Sequence, residues 1–191
     1  MAEELEISSF ESAEAFEAWL DRHHDSSPGI WLKLRKKVRG VVALDYAHAL
    51  DVALCYGWID GQKGRFDDEY WLQRFTPRKS KSKWSKINRD KVAALTEQGR
   101  MRPPGVAEVE RAKADGRWES AYAGAKSAEV PDDLAEALAA NAAAAAFFKE
   151  LDSHNRYAIL YRVQDVKKAE TRARRIEKYV TMLARSEKIY P

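Results

Sequence analysis

A chain of 191 residues that is 45% hydrophobic can bury one full core or two smaller ones, as an ordinary globular protein does. Its longest apolar stretches fall well short of a bilayer span, which argues against a membrane protein, and the opening MAEELEISSF carries neither a secretory signal nor a transit peptide. The single cysteine, Cys55, excludes an internal disulfide framework and fits a reducing compartment, so a cytoplasmic protein is expected. The net charge of +3 is spread unevenly: residues 1–27 hold eight acids and one base, 28–102 hold seventeen bases and eight acids, and the remainder is nearly balanced.

In ESAEAFEAWLDRHH, Phe16, Trp19 and Leu20 fall at helical spacing behind a Ser12 N-cap, and Ser27-Pro28-Gly29 breaks the chain. GIWLKLRKK alternates Ile30, Leu32 and Leu34 against Trp31, Lys33 and Arg35, which is a strand. Asp45 caps YAHALDVALCYG, a helix apolar most of the way round and therefore buried. Two extended runs flank Asp67-Asp68 and predict a hairpin from about Trp58 to Pro77. From Ser85 every signal is helical: a Ser cap and Gly stop around KINRDKVAALTEQ, Pro103-Pro104 at the start of the next helix, and Pro131-Asp132-Asp133 opening another. An alanine tract ending in Phe147-Phe148, Ser153 capping HNRYAILYRV, and a last helix from about Val166 complete the pattern. The expected fold is α+β, with a helix-strand-helix-hairpin unit over 1–84 packed as one body on a helical region over 85–191.

Metal chemistry has no support in the spacing. His23 and His24 are adjacent, His48 and His154 are distant, and Cys55 on an apolar helix reads as a small buried hydrophobe. Gly57, Gly61 and Gly64 match neither the dinucleotide fingerprint nor the P-loop, so no cofactor is expected. A three-residue hairpin loop at Asp67-Asp68-Glu69 would set Asp60 opposite Thr76 and Gln62 opposite Arg74, bringing a carboxylate and a guanidinium to one face; a two-residue loop would separate them. Arg74, Thr76 and Arg78 share a parity, and Lys83, Trp84, Ser85 and Asn88 follow at a helix N-terminus that favours anions, so these residues with Asp60 form a candidate anion pocket. In that reading Asp60 orients Arg74, Arg74 and Arg78 bind the anion, and Trp84 stacks on an attached ring. The alternative is a buried Asp60–Arg74 ion pair with Trp58 and Trp84 as core. Between Arg74 and Lys91 lie eight bases and one acid, interleaved with Phe75 and Trp84, which also suits nucleic acid.

Four ordered motifs, ALCYGWIDG (53–61), DDEYWLQRFTPRKSKSKWSKIN (67–88), GRMRPPGVAEVERAKADGRW (99–118) and AETRARRIEKYV (169–180), resemble the bacterial bacteriocin-protection family, also labelled YdeI or OmpD-associated. The resemblance implies protection against bacteriocins and antimicrobial peptides, with no established reaction. It also implies association with an outer-membrane porin, which is set aside because no export signal is seen. The expected function is a cytoplasmic stress-protection protein that binds a small anionic or phosphorylated ligand. Nucleic-acid binding through residues 74–91, or a metal-independent enzyme using Asp60 or Asp67 as base, are the alternatives.

Overall fold

The computed structural model describes residues 5–36 and 43–191, so residues 1–4 of the stretch read for an export signal lie outside it. Chain contacts divide the protein into two units, Met1–Ala121 and Tyr122–Pro191. The protein is α+β, as its periodicities predict.

The first unit opens with a two-residue strand β1 (Ile7–Ser8), too short to carry a period and invisible in the sequence pattern. Helix α1 (Ala13–His23) starts at Ser12, whose hydroxyl accepts from the Ala15 amide at 3.3 Å. Strand β2 (Ile30–Arg35) buries Ile30, Leu32 and Leu34 on one side and leaves Trp31, Lys33 and Arg35 partly exposed on the other. Helix α2 (Tyr46–Cys55) is capped by Asp45 and buries six of its residues, which matches its apolar circumference. Strands β3 (Trp58–Arg65) and β4 (Tyr70–Pro77) form the hairpin, and α3 (Lys86–Glu97) and α4 (Pro103–Ala114) follow.

The sheet order is β1-β2-β4-β3, with β1 and β2 parallel and the other pairs antiparallel. Near the tip, Arg65 pairs with Trp71 and Lys63 with Gln73, the register of a three-residue loop. A bulge between Asp60 and Lys63 then shifts the strands by one, so Asp60 pairs with Phe75 and Ile59 with Thr76. Gln73, wholly buried, donates its side-chain amide to the Gly61 and Gln62 carbonyls at 2.9 and 3.2 Å and so satisfies the groups the bulge leaves unpaired. Gln73→Leu is expected to destabilise the unit by roughly 2 kcal/mol in denaturant unfolding, since those carbonyls lose their donor.

The core of this unit joins Phe16 and Leu20 of α1, the inward side of β2, most of α2, Trp58, Phe75, Trp84, and Val92, Leu95, Val109 and Ala112 from α3 and α4. Leu54 is 1% exposed within it, and Leu54→Ala should cost roughly 3 kcal/mol, read from the denaturation midpoint.

The second unit contains α5 (Asp132–Ala139), α6 (Ala142–Glu150), α7 (Ser153–Gln164) and α8 (Ala169–Ala184). The cap of α7 is Asp152, which accepts from the Asn155 amide at 2.8 Å, so Ser153 is its first helical residue. Leu134, Phe148, Ile159, Val163, Ile176 and Leu183 make a separate core, and the alanine tract buries Ala144 against it. Arg172 forks onto both oxygens of Asp133 at 2.5 and 2.8 Å, and this hydrogen-bonded guanidinium holds the Asp133 carboxyl below its usual range. Because the folded value is depressed, the pair's stabilisation is full above the unfolded carboxyl value of about 3.9 and is lost as pH falls through the lower folded value. With Asp133 45% exposed, Asp133→Asn should lower stability by no more than about 1 kcal/mol at pH 6, and melting curves of variant and parent should converge as pH falls through the depressed folded value.

Candidate functional site

Strand pairing decides which of the predicted residues meet. Asp60 shares the helix-covered face with Phe75, and its carboxylate accepts from the Tyr46 hydroxyl at 2.8 Å. Arg74 and Thr76 alternate with Phe75 along β4 and so project from the opposite face. The bulge therefore separates Asp60 from Arg74, and no ion pair joins them among the described residues. Asp67 accepts from the Glu69 and Tyr70 amides at 2.8 and 2.7 Å, which is a turn-capping role.

Arg78, Lys83, Trp84, Ser85 and Asn88 do come together, around a tight turn. The Lys79 amide donates to Ser82 Oγ and the Ser82 amide to the Lys79 carbonyl, both at 2.9 Å. Arg78 is 6% exposed, lies 3.6 Å above the Trp84 ring, and donates to the Lys83 carbonyl at 3.0 Å. Trp84 is 1% exposed and meets Trp118 edge-on at 4.9 Å, so it is a core residue with its face occupied by Arg78 and has no room for a ligand ring. Ser85 caps α3 by accepting from the Asn88 amide at 3.1 Å, which uses the hydroxyl at that helix N-terminus. The lysines of the turn, Lys79, Lys81 and Lys83, are exposed.

Beside Arg78 the unit has a cleft of about 440 Å³, walled by the end of α1, the α2–β3 junction, the end of β4 and one side of α4. Its polar side chains are His24, Asp25, Tyr56, Arg78, Glu108 and Arg111. Two glycines permit the close approach that shapes it. Gly57 holds φ at +74°, and a Cβ there would stand 3.0 Å from the Pro104 carbonyl oxygen. At Gly105 a Cβ would press on the Cys55 carbonyl, 2.7 Å from its carbon.

Glu108 is the buried acid of the cleft wall, 5% exposed. Its carboxylate receives Arg111 on one oxygen and Arg117 on the other, the latter at 3.0 Å, and Arg117 also donates to the Ser82 carbonyl at 2.9 Å. The same carboxylate thus holds an arginine of the cleft and, through Arg117, the turn after β4. His24 Nδ1 lies 3.0 Å from the Leu20 carbonyl, which can only accept, so Nδ1 is the donor of that bond. Tyr56 donates to Asp21 at 3.0 Å; burial, with that bond second, pushes its pKa up to about 12, so the phenol stays protonated at neutral pH. Cys55 is buried and burial raises its thiol to about 11, so it should resist thiol reagents in the folded protein and react only on unfolding.

His24, Asp25, Glu108 and Arg111 were not singled out by sequence. Glu108 and Arg111, three apart on a helix, read as an ordinary surface pair, and nothing in their spacing tells that the carboxylate is buried.

These features define an α+β unit whose helices cover one sheet face and whose α4 closes a cleft at the hairpin base, followed by a helical unit. The chain belongs to the family described as a domain of unknown function (DUF8412), which matches residues 8–108. Residues 127–186 match the family described as bacteriocin-protection, YdeI or OmpD-associated, so the resemblance read from the motifs is shown in the helical unit. No curated protein and no solved structure matches the chain.

Proposed function

We propose that the protein is a protection protein whose first unit binds a small ligand bearing an anionic group in the cleft at the hairpin base. The bacteriocin-protection match over 127–186 supports the general protective role. The observation that carries the ligand reading is the cleft of about 440 Å³ with Arg78 and Arg111 among the residues that line it, a size that suits a small metabolite. Arg111, 51% exposed, is available to an incoming anion, and its bond to Glu108 fixes its orientation beforehand. Trp58 and Tyr56 supply apolar wall for the uncharged part of the ligand. Asp25 and Glu108 add negative charge, which favours a ligand with hydrogen-bond donors as well as the anionic group.

A thermal-shift screen of inorganic phosphate, pyrophosphate, nucleotides and phosphorylated sugars tests this directly, because a ligand that binds only the folded state raises the melting temperature by mass action. Arg111→Gln, whose amide can still donate to Glu108, should weaken a stabilising ligand about tenfold while leaving the unliganded melting temperature nearly unchanged. Stabilisation that is equal in parent and variant would reject the cleft.

A further inference from the structure

The sheet of the first unit has a second face that the cleft does not use. Helices α1 and α2 pack on the other side, where Phe16 meets Phe75 at 5.9 Å and Tyr46 meets Trp71 at 6.1 Å between ring centroids. On the second face the register aligns Ile7 of β1 with Trp31 of β2, and Tyr70 and Leu72 of β4 share it, with Phe66 just beyond β3. Trp31, Phe66, Tyr70 and Leu72 belong to neither apolar core. Ile7 and Phe66 are 50% and 44% exposed. The two glycines of β3 keep its side of this face low: a Cβ at Gly61 would stand 3.8 Å from Arg74, and one at Gly64 would stand 3.4 Å from Leu72 and 3.7 Å from the Trp31 ring. The Trp31 indole therefore reaches across β4 to β3.

Every charged side chain that a strand position puts on this face is basic: Lys33, Arg35 and Arg74. The Lys33 ammonium lies 4.3 Å from the centroids of both Phe66 and Tyr70. Glu69, beyond the strand end, reaches Arg35 at 3.8 Å. Arg74 Nε is buried without a hydrogen-bond partner, and its guanidinium enters no ion pair among the described residues.

We propose that this face binds single-stranded nucleic acid, with bases stacking on Trp31 and Phe66 and phosphates meeting Lys33, Arg35 and Arg74. Aromatic rings interleaved with basic side chains on one sheet face, only Arg35 of which has an acidic partner, suit a strand whose bases are free to stack, and a duplex would hide those bases from the rings. The site is distinct from the cleft and from the exposed lysines of the turn after β4.

Fluorescence anisotropy of labelled oligo-dT and oligo-U, each of about fifteen nucleotides, titrated with the full chain tests the proposal. Binding at low salt is expected, with log affinity falling against log salt at a slope of about −2 for three phosphate contacts. Trp31→Ala and Phe66→Ala should each weaken binding about tenfold, and Arg74→Gln should weaken it and make the salt slope shallower by about 0.7. Phe66 is exposed, so its variant reports on stacking even if loss of Trp31 disturbs the sheet. Absence of oligonucleotide binding, equal affinity for duplex of the same length, or binding untouched by Phe66→Ala and Arg74→Gln but lost in Lys79→Gln/Lys81→Gln would each overturn it.

Discussion

Gly105→Ala is expected to be among the most damaging single substitutions in the first unit, at roughly 3 kcal/mol or more of lost stability. The added methyl would meet the Cys55 carbonyl group, with its carbon 2.7 Å away, and backbone cannot swing aside as a flexible side chain can. That carbonyl also accepts from the Arg102 amide at 3.1 Å, so any shift of the α2 end strains the start of α4 as well. Relief requires α4 to move outward, which widens the gap to Gly57 and carries Glu108 and Arg111 away from Arg78. The substitution should therefore reduce both the denaturation midpoint and ligand affinity. Gly116→Ala is a useful comparison: φ there is +77° but nothing lies within 4 Å, so the cost is backbone strain alone, about 1 kcal/mol.

Glu108→Ala is the second large expected effect, again roughly 3 kcal/mol. Its carboxylate is 5% exposed and serves both Arg111 and Arg117, and Arg117 is itself only 14% exposed. Removing the acid leaves positive charge in a poorly solvated wall, and the cost of an uncompensated buried charge exceeds the modest net gain that forming the pair supplied. Arg117 keeps Asp115 at 2.7 Å as a partner, which limits the damage. Glu108→Gln, which still offers one acceptor, should cost less than the alanine variant. Urea unfolding of the three proteins orders them, and equal midpoints would show that the wall does not depend on this carboxylate.

What the sequence made legible was local. The caps at Ser12, Asp45 and Ser85 were readable because each satisfies an amide three residues on, within one turn of chain. The alternation in β2 and the apolar circumference of α2 survived intact because both elements are set by the core they face. Asp152 took the cap expected of Ser153, since either side chain can accept and pattern alone does not choose between neighbours. The hairpin loop followed the three-residue register at its tip, but the bulge that turns Asp60 from Arg74 depends on Gln73 reaching across the pair to the Gly61 and Gln62 carbonyls. The cleft draws on segments around residues 24, 57, 78 and 108, and their meeting is set by helix packing at Gly57 and Gly105 rather than by any periodicity. Trp84 shows the same limit: a tryptophan beside lysines and arginines reads as a stacking surface until its exposure of 1% is known.

Calorimetric titration of pyrophosphate, or of whichever phosphorylated compound stabilises the protein most, into the parent, Arg111→Gln and Arg74→Gln is the most direct test of the cleft. Arg111 lies in its wall, whereas Arg74 projects from the far face of the sheet. Binding should be about tenfold weaker in Arg111→Gln and parental in Arg74→Gln. Weakened binding in Arg74→Gln with Arg111→Gln unaffected would contradict the cleft as the binding site.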